Sequence, residues 1–480
     1  MGHTIRLLSL KSSYGASQGR LSMTIDTTAL TSVAETTAAE LGIVGAQVAL
    51  AIDGEFVECP VGIENVTTGR AVTADTLFQI GSTTKVFTAA LVMQLADAGM
   101  LDIDKPVAQF LPGFRLGDED ATATVTPRHL MSMTSGIDNG PYIDTGRGDD
   151  AVRALVQLLA HIPVIAQPGE IFGYNNASAD ISGLLVETLT GTTWDAALRD
   201  RLLAPAGLQH SASLPEEQIY HPIAVGHTPT EGGFDHVKQW TVGRGHGPAG
   251  SILACSAGDL VRFGQLFLRG GLAADGTRVL SEHSVAEMQT RQVDLPTQGM
   301  ADGWCVGPYT KNWGGKQIFG HFGFSPCGSS TLLWVPELHT AVAVTVNVAI
   351  RGAHFADRVF DYVFAELLGV QRPTRPAKRP GSAIDTEPYV GTYETADRRY
   401  GVTAKDGALF VSLMAKDPEG SLGVASEPVT TELYPLDDHR FILADDVLGG
   451  DPLWDAAFIV GDGQKATHFV GGVFAARRVA

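Results

Sequence analysis

The fold is decided by residues 78–93, which read Phe-Gln-Ile-Gly-Ser-Thr-Thr-Lys-Val-Phe-Thr-Ala-Ala-Leu-Val-Met. A short apolar run ends at Gly81, and a helical pattern begins at Ser82 and continues to about Ala98. Ser82 and Lys85 are three residues apart, so a helix places them on one face and within reach of each other. The rest of the chain is therefore best interpreted outward from a serine–lysine pair at a helix start.

Ser82 and Lys85 are candidates for a nucleophile and its base. A serine hydroxyl reacts poorly at neutral pH and needs a neighbouring base. A buried lysine would serve, because desolvation lowers its pKa and keeps the amine neutral. The unpaired backbone N–H groups of the helix start suit developing negative charge. The alternative interpretation is that Ser82 caps the helix and Lys85 is a solvated first-turn side chain, because this spacing also arises by chance.

Length and charge bound the class of protein. The 480 residues are enough for roughly two to three domains, and a hydrophobic content of 44% supplies large cores. The net charge of −19 argues against nucleic acid and anionic membranes as partners, because these bind basic surfaces. No segment has the length of a membrane span, and residues 1–22 are only a weak candidate for a signal peptide. We interpret residues 1–22 as a disordered leader or tag and expect a cytoplasmic protein.

The four cysteines favour free thiols over a disulfide or metal framework. They are widely spaced, with no Cys-x-x-Cys pair and no Cys/His cluster. We therefore expect buried free thiols, as in a reducing compartment, and neither a metal site nor a cofactor. The residues concerned are Cys59, Cys255, Cys305 and Cys327.

The order of the predicted elements indicates an α+β fold. Strands come first, then a helical block, then more strands and a final helix. This order predicts an antiparallel sheet flanked by helices from both chain ends, with an inserted helical subdomain. The predicted elements are a helix over 27–41, strands over 45–52 and 55–62, a mainly helical region over 95–246 that is irregular from 213, a helix over 256–268, strands over 303–309, 317–322, 330–335 and 340–348, and a helix over 351–368.

A second domain is predicted at the C-terminal end. Residues 371–383 are rich in proline and polar residues and have no period, which is typical of a linker. Residues 384–480 alternate in strand fashion around turn signals such as Asp406-Gly407, which predicts a small closed barrel. We find no catalytic constellation in this barrel. The preceding residues, 23–370, would form the catalytic domain.

A second motif, Tyr174-x-Asn176, precedes the helix predicted over 178–190. A phenol beside a lysine is able to shuttle a proton, and an amide is able to hold either a substrate or the lysine. The alternative is a buried tyrosine and an asparagine that caps the helix. On its own, this motif favours the structural interpretation.

A third motif, His321-x-Gly323, lies where a predicted strand meets a loop. Glycine lets the backbone approach a ligand closely. His321 is a candidate for stabilising or protonating the reacting group. The backbone N–H of Phe324, together with that of Ser82, is a candidate oxyanion hole. A lone histidine in a glycine-rich loop is more often structural.

The three motifs, in their order and spacing, resemble the serine β-lactamase and penicillin-binding-protein superfamily. The family's third motif, a Lys-Thr-Gly-like triplet, is replaced here by His321-x-Gly323. The resemblance covers roughly residues 30–370, and the stretches 78–93 and 126–136 also look like that superfamily. It implies a β-lactamase-like α+β catalytic domain.

The resemblance also implies a role for each residue. Ser82 would be the nucleophile, Lys85 the general base and Tyr174 a proton relay. Asn176 would contact the substrate amide. His321 stands where the family's lysine binds a substrate carboxylate, and a histidine, mostly neutral at pH 7, holds an anion less well. This substitution makes β-lactamase or transpeptidase activity less expected.

The His-x-Gly pattern is similar to class C-like esterases, D-aminopeptidases and stand-alone penicillin-binding-protein-type thioesterases that release or cyclise nonribosomal peptides. Several of these carry a lipocalin-like barrel, which residues 384–480 resemble. The predicted function is a serine hydrolase that forms an acyl-enzyme with a small peptide amide or ester, D- or unusual residues included. A peptide cyclase and a non-catalytic acyl-binding or sensor protein stay open as alternatives. The sequence also leaves open a homo-oligomer.

Overall fold

The structure is a computed structural model in which most of the chain is described. The predicted leader at 1–22 lies outside the described residues, as does the end of the predicted linker. The described residues are 25–140, 142–378, 384–416, 428–437, 439–444, 453–461, 463 and 465–480.

The helices and strands follow in chain order. The helices α1 to α11 are Thr27–Leu41, Thr84–Asp97, Glu119–Thr124, Pro127–Met131, Ala151–Leu158, Ala177–Thr190, Trp194–Leu198, Pro215–Gln218, Ala257–Leu268, Glu282–Met288 and Gly352–Asp361. The strands β1 to β21 are Gly45–Ile52, Glu55–Gly62, Phe78–Gln79, Ser211–Ala212, His227–Thr230, Gly233–His236, Ala254–Cys255, Val293–Asp294, Gly303–Trp304, Tyr309–Trp313, Lys316–Ser325, Gly328–Val335, Thr340–Val346, Gly391–Glu394, Arg398–Lys405, Ala408–Ala415, Val429–Pro435, Arg440–Leu443, Asp455–Val460, Ala466–Gly471 and Phe474–Arg478.

The main sheet has eight antiparallel strands in the order β2-β1-β13-β12-β11-β10-β9-β8. The predicted hairpin between β1 and β2 is confirmed. Its turn residues Asp53 and Gly54 have φ values of 48° and 93°, as a tight two-residue hairpin requires. Every residue of β1 is buried, because helices cover both faces of the sheet.

Helices pack on the two faces of this sheet. One apolar cluster joins α1 and α11 to one face, and a second joins α2 and α9 to the other. A third cluster holds together the helical subdomain between α2 and α7. This arrangement confirms the predicted α+β class, the antiparallel sheet and the inserted helical region.

The structure corrects the predicted elements in three places. The strand predicted over 303–309 is broken into β9 and β10, because the chain turns at Gly307, whose φ is 105°. The region predicted as irregular from 213 contains α8 and the hairpin of β5 and β6. The central helix begins with a 3₁₀ turn over Gly81–Thr83 before α2 continues it.

Strands β14 to β21 close into an eight-stranded antiparallel barrel, as predicted. Aromatic rings fill its interior and pack against one another. The largest are Tyr393, Tyr400, Phe441, Phe458 and Phe469. The domain boundaries proposed from the sequence stay predictions.

The four cysteine thiols are buried and form no disulfide, as expected. In the part of the chain that the structure describes, no group of three or more His, Cys, Asp or Glu side chains could hold a metal ion. None of the described helices is both long enough and apolar enough to cross a membrane. The cytoplasmic location stays a prediction.

Candidate active site

Ser82 lies on the 3₁₀ turn that leads into α2, where three backbone segments meet. Gly81 has a φ of 52°, and a Cβ added there would overlap the backbone of Phe324. Gly250 has a φ of 117°, and a Cβ added there would overlap the backbone of Gly81 and Ser82. The two glycines therefore let the ends of three elements close around the serine.

Lys85 points from the first turn of α2 into the centre of the domain. Its side chain is buried, and its Nζ lies 3.0 Å from Ser82 Oγ, 2.7 Å from Asn176 Oδ1 and 2.8 Å from the carbonyl oxygen of Ala249. Burial lowers the pKa of Lys85 from 10.5 to about 7, and the negative charge of Asp180 opposes part of that shift. A substantial fraction of the amine is therefore neutral at neutral pH.

Tyr174 lies beside the pair. Its hydroxyl lies near the Ser82 side chain, which opposes part of the rise in the Tyr174 pKa, and Lys85 Nζ lies 4.9 Å from the centre of its ring. Burial raises the pKa of Tyr174 well above its ordinary value of 10.0, so the phenol keeps its proton at neutral pH. Its backbone N–H donates to the carbonyl oxygen of Val473, a residue of the barrel, at 3.0 Å.

Asn176 holds the lysine and does not cap the helix. Its Oδ1 accepts from Lys85, and its Nδ2 donates to the Tyr142 hydroxyl at 2.9 Å. The neighbouring Asn175, one residue before the N-cap position, accepts the backbone N–H of Ser178 at 2.8 Å in its place. The two adjacent asparagines therefore have separate tasks, one at the site and one at the helix end.

His321 lies behind Tyr174 in an aromatic box. Its ring centre is 6.3 Å from that of Tyr174, 5.4 Å from that of Trp304 and 6.0 Å from that of Tyr309. Burial, helped by the positive charge of Lys85, lowers the pKa of His321 to about 3. Its Nδ1 lies 2.7 Å from the Phe322 carbonyl oxygen and must donate to it. Nε2 is then an acceptor, without a partner among the described residues.

This arrangement bears on the predicted role of His321. A neutral imidazole with its only proton on a backbone carbonyl does not suit the protonation of a reacting group. It also supplies no positive charge for a substrate carboxylate. The position matches the third motif, but the side chain has the properties of a neutral acceptor.

Gly323 and Phe324 form the part of β11 that faces the serine. A Cβ on Gly323 would overlap the carbonyl oxygen of Ile80, so the strand can lie against the start of the 3₁₀ turn only with glycine. The backbone of Phe324 lies beside that of Gly81, while 49% of the Phe324 side chain is exposed. The structure thus brings the two predicted oxyanion-hole residues together.

Several residues at the site were not identified as site residues from the sequence. Tyr142 comes from a polar loop, and the Ala249 carbonyl comes from a 3₁₀ turn over Arg244–Ala249. The barrel contributes Phe474, whose ring meets the Tyr174 ring edge-on with centres 5.8 Å apart. Backbone carbonyls carry no sequence signal, and the barrel's turn is about 300 residues from Tyr174 in the chain.

A cavity of about 640 Å³ adjoins the site at Tyr142. Its lining comes from three segments, within residues 142–149, 214–216 and 239–244, and from Ile252. The volume lies within the range of ligand pockets. Arg147 and Glu216, which belong to different lining segments, form an ion pair at 2.7 Å.

The sequence model of the beta-lactamase family matches residues 30–362. The chain belongs to this family. It is 40% identical over 356 residues to penicillin-binding protein 4 of Amycolatopsis lactamdurans, covering 73% of this chain and 93% of the relative.

Solved structures agree with this assignment. The crystal structure of SurE has a TM-score of 0.76 and 27% identity, with 94% of this chain and 98% of that chain covered. An octameric penicillin-binding protein homologue from Pyrococcus abyssi has a TM-score of 0.64 and 22% identity, with coverages of 94% and 100%. The likeness to the second protein supports the fold alone.

Proposed function

We propose that the protein is a serine hydrolase that forms an acyl-enzyme on Ser82 from a peptide amide or ester. The surroundings of Lys85 carry this proposal. A neutral amine has two N–H groups and one electron pair. Asn176 Oδ1 and the Ala249 carbonyl accept but do not donate, so they take the two N–H groups. The electron pair is then left for the Ser82 hydroxyl.

Lys85 suits the base better than Tyr174 does. The pKa of Lys85 is lowered to about 7, whereas burial raises that of Tyr174 far above neutrality. A general base is most effective when its pKa lies near the working pH. Tyr174 therefore acts as a proton donor in this mechanism.

The proton follows a short path during acylation. Ser82 Oγ attacks the carbonyl carbon while its proton passes to Lys85, and a tetrahedral oxyanion forms. The bond to the leaving group then breaks. Tyr174 gives its proton to the departing amine or alcohol and is reprotonated by the Lys85 ammonium. The product of this half-reaction is a Ser82 ester and a neutral leaving group.

The backbone N–H groups of Ser82 and Phe324 stabilise the oxyanion in this proposal. Their support is the close approach of Gly81 to the Phe324 backbone, which only glycine at position 81 permits. Fixed N–H donors of this kind typically contribute about 3 kcal/mol each to stabilising the transition state.

The substrate proposed is a small peptide derivative, with D-residues among those accepted. SurE, which matches nearly the whole chain, has been solved in complex with D-Leu. The cavity beside Tyr142 would hold the acyl portion, since Tyr142 lines it and also contacts Asn176, the residue implied to contact the substrate amide. Water or an amine of the substrate would then release the acyl group, giving an acid or a cyclic peptide.

The test is covalent labelling combined with product analysis. The wild-type protein and Ser82→Ala are incubated with a fluorophosphonate probe and with matched D- and L-terminal peptide thioesters. We expect labelling and turnover of the wild type, and a loss of roughly a thousandfold or more in Ser82→Ala. Mass spectrometry separates linear from cyclic products.

The control is Ser211→Ala, which removes a serine that hydrogen-bonds Asp259 on α9. It should be labelled like the wild type. Labelling and turnover that persist in Ser82→Ala would reject the proposal. Labelling of the wild type without any turnover would instead favour the acyl-binding sensor.

A further inference from the structure

The two acceptors that orient Lys85 belong to separate segments, and both must be held in place. Asn176 stands at the start of α6, whereas Ala249 ends the 3₁₀ turn over Arg244–Ala249. If either acceptor moved, the lysine would lose a fixed N–H direction, and its electron pair would no longer point at Ser82. A contact is therefore needed that fixes the position of the turn relative to the start of α6.

His246, inside that turn, makes the coupling contact. Its Nδ1 lies 2.9 Å from Asp180 Oδ2, and its Nε2 lies 3.2 Å from the backbone nitrogen of Ile143. A backbone N–H is only a donor, so Nε2 must accept, and the proton of the neutral ring must be on Nδ1. His246 therefore donates to Asp180 and accepts from the backbone N–H of Ile143. The side chains of His246 and Asp180 are both buried.

Tyr142 contacts both His246 and Asn176 and so links the two. It directly precedes Ile143, and its ring centre is 5.3 Å from that of His246. Its hydroxyl accepts from Asn176 Nδ2 at 2.9 Å, which leaves Oδ1 as the amide atom that faces Lys85. Without this contact the amide would be free to turn over and present N–H groups to the lysine.

Asp180, on α6, is the last member of this set of contacts. It is four residues after Asn176, on the same face of the helix, and its backbone N–H donates to the Asn176 carbonyl at 3.0 Å. Its carboxylate is fully buried, and Oδ1 has no partner among the described residues. Asp180 therefore contacts the turn that ends at Ala249, whose carbonyl accepts from Lys85. It also belongs to α6, the helix that begins at Asn176, the other acceptor.

We infer that Asp180, His246 and Tyr142 are positioning residues that aim the electron pair of Lys85 at Ser82. The inference rests on the proposed function, because it concerns the same nucleophile and base. None of the three needs to touch the substrate's reacting carbonyl. They hold the turn and the Asn176 amide in place, so that both N–H groups of the neutral Lys85 amine are bound and its electron pair points at Ser82.

Asp180 also sets the charge around the base. The ionisable groups that face Lys85 are Asp180 on α6, Tyr174 in the preceding loop and His321 on β11. Burial keeps Tyr174 protonated by raising its pKa and keeps His321 neutral by lowering its pKa. The negative charge of Asp180 raises the pKa of Lys85 and so opposes the effect of burial.

The test measures the rate of Ser82 acylation by an activated ester from pH 5 to pH 10, in single turnovers. In Tyr142→Phe, which keeps the ring and loses the hydroxyl, we expect the plateau rate to fall roughly three- to tenfold. In Asp180→Asn, we expect a lower plateau and a midpoint shifted by roughly one pH unit towards acid. A purely structural role would lower the melting temperature without moving the midpoint.

Two matched controls accompany these variants. Tyr220→Phe changes a tyrosine that is 84% exposed, and Asp259→Asn changes a buried acid on α9 that bonds His210 and Ser211. Both should keep the wild-type midpoint. Should Asp180→Asn fail to fold, Tyr142→Phe decides the matter alone.

The outcomes separate this inference from the proposed function. Suppose that the wild type is acylated and Ser82→Ala is not, but that Tyr142→Phe and Asp180→Asn have the same pH profiles as the wild type. This result would contradict the positioning network and would still support the serine hydrolase. A folded wild type that is never acylated at Ser82 would overturn both.

Discussion

The catalytic domain and the barrel bury very different side chains. The centre of the catalytic domain holds a lysine, an aspartate and a histidine, with contacts that fix their proton positions. The barrel interior is apolar, with aliphatic side chains beside aromatic rings that pack at tilted or edge-on angles, with centres about 5–6 Å apart. The proposed chemistry thus belongs to the first domain, whereas the barrel interior is held together by apolar packing.

The difference is informative because the two regions meet at the active site. Val473, just before β21, accepts the Tyr174 backbone N–H, and the ring of Phe474, the first residue of β21, packs against the Tyr174 ring. In the proposed mechanism, the barrel would act by fixing the tyrosine, and none of its described residues has a reacting role. It is held there by Asp138 Oδ2, which accepts the Ala396 N–H at 2.7 Å, and by Asp455, which accepts the Gln298 N–H at 2.6 Å.

Lys85→Arg should have the largest effect, because it removes the proposed base and keeps a positive charge at position 85. A guanidinium keeps its proton at every accessible pH and has no electron pair to offer Ser82. We expect acylation to fall roughly a thousandfold or more, measured with an activated ester in single turnovers. Lys311→Arg is the control, since Lys311 lies against the rings of Tyr309 and Trp313. It should react like the wild type.

Phe474→Ala asks whether a barrel side chain matters to the chemistry. Loss of the ring frees Tyr174 on one side, and we expect acylation to fall roughly three- to tenfold while the barrel stays folded by circular dichroism. Phe410→Ala removes a half-buried phenylalanine from β16 and serves as the matched control. Equal rates in the two variants would mean that the barrel is a passive neighbour of the site.

The expected effect of Asp138→Asn is on stability and not on the acylation rate. Burial raises the pKa of Asp138 to about 7, so the folded protein binds a proton between pH 4 and 7 that the unfolded chain has released. Its contribution to stability is therefore greatest at low pH and is lost as pH rises through 7. An asparagine stays neutral and still accepts the Ala396 N–H. We expect a gain of about 1–3 kcal/mol at pH 8 and little change at pH 4.

Asp118→Asn is the control of opposite sign. The Ala121 N–H holds the pKa of the Asp118 carboxyl below its usual range, so this group stabilises the folded state above its unfolded pKa. The substitution should lower the melting temperature at pH 8 and have little effect at strongly acidic pH. If both variants shifted stability in the same direction at pH 8, the account of the Asp138 interface would be wrong.

Much of the fold follows from local pattern. The bounds of α1, β1 and β2 agree with the sequence predictions, because each element has a clear period and a clear stop such as Gly42 or Asp53-Gly54. The strand over 303–309 could not be placed correctly. Its residues have strand propensity, but the turn at Gly307 is set by contacts with α2 and by the carbonyl of Met131. Long-range packing decided against local preference.

The site was only partly predictable. Ser82, Lys85, Tyr174 and Asn176 were found because their spacing carries information. The Ala249 carbonyl was not, because every residue has one. Tyr142 and Phe474 belong to loops with no distinctive pattern. For His321, the position was predicted, but its neutral state depends on an aromatic box that only the folded chain assembles.

The most direct test of the central claim is the pH dependence of wild-type Ser82 acylation, measured in single turnovers. The rate should rise with pH and level off, with a midpoint near 7, because the reactive form is the neutral Lys85 amine, whose pKa burial has lowered to about 7. A midpoint near the ordinary lysine value of 10.5, or a rate that does not change with pH, would contradict it.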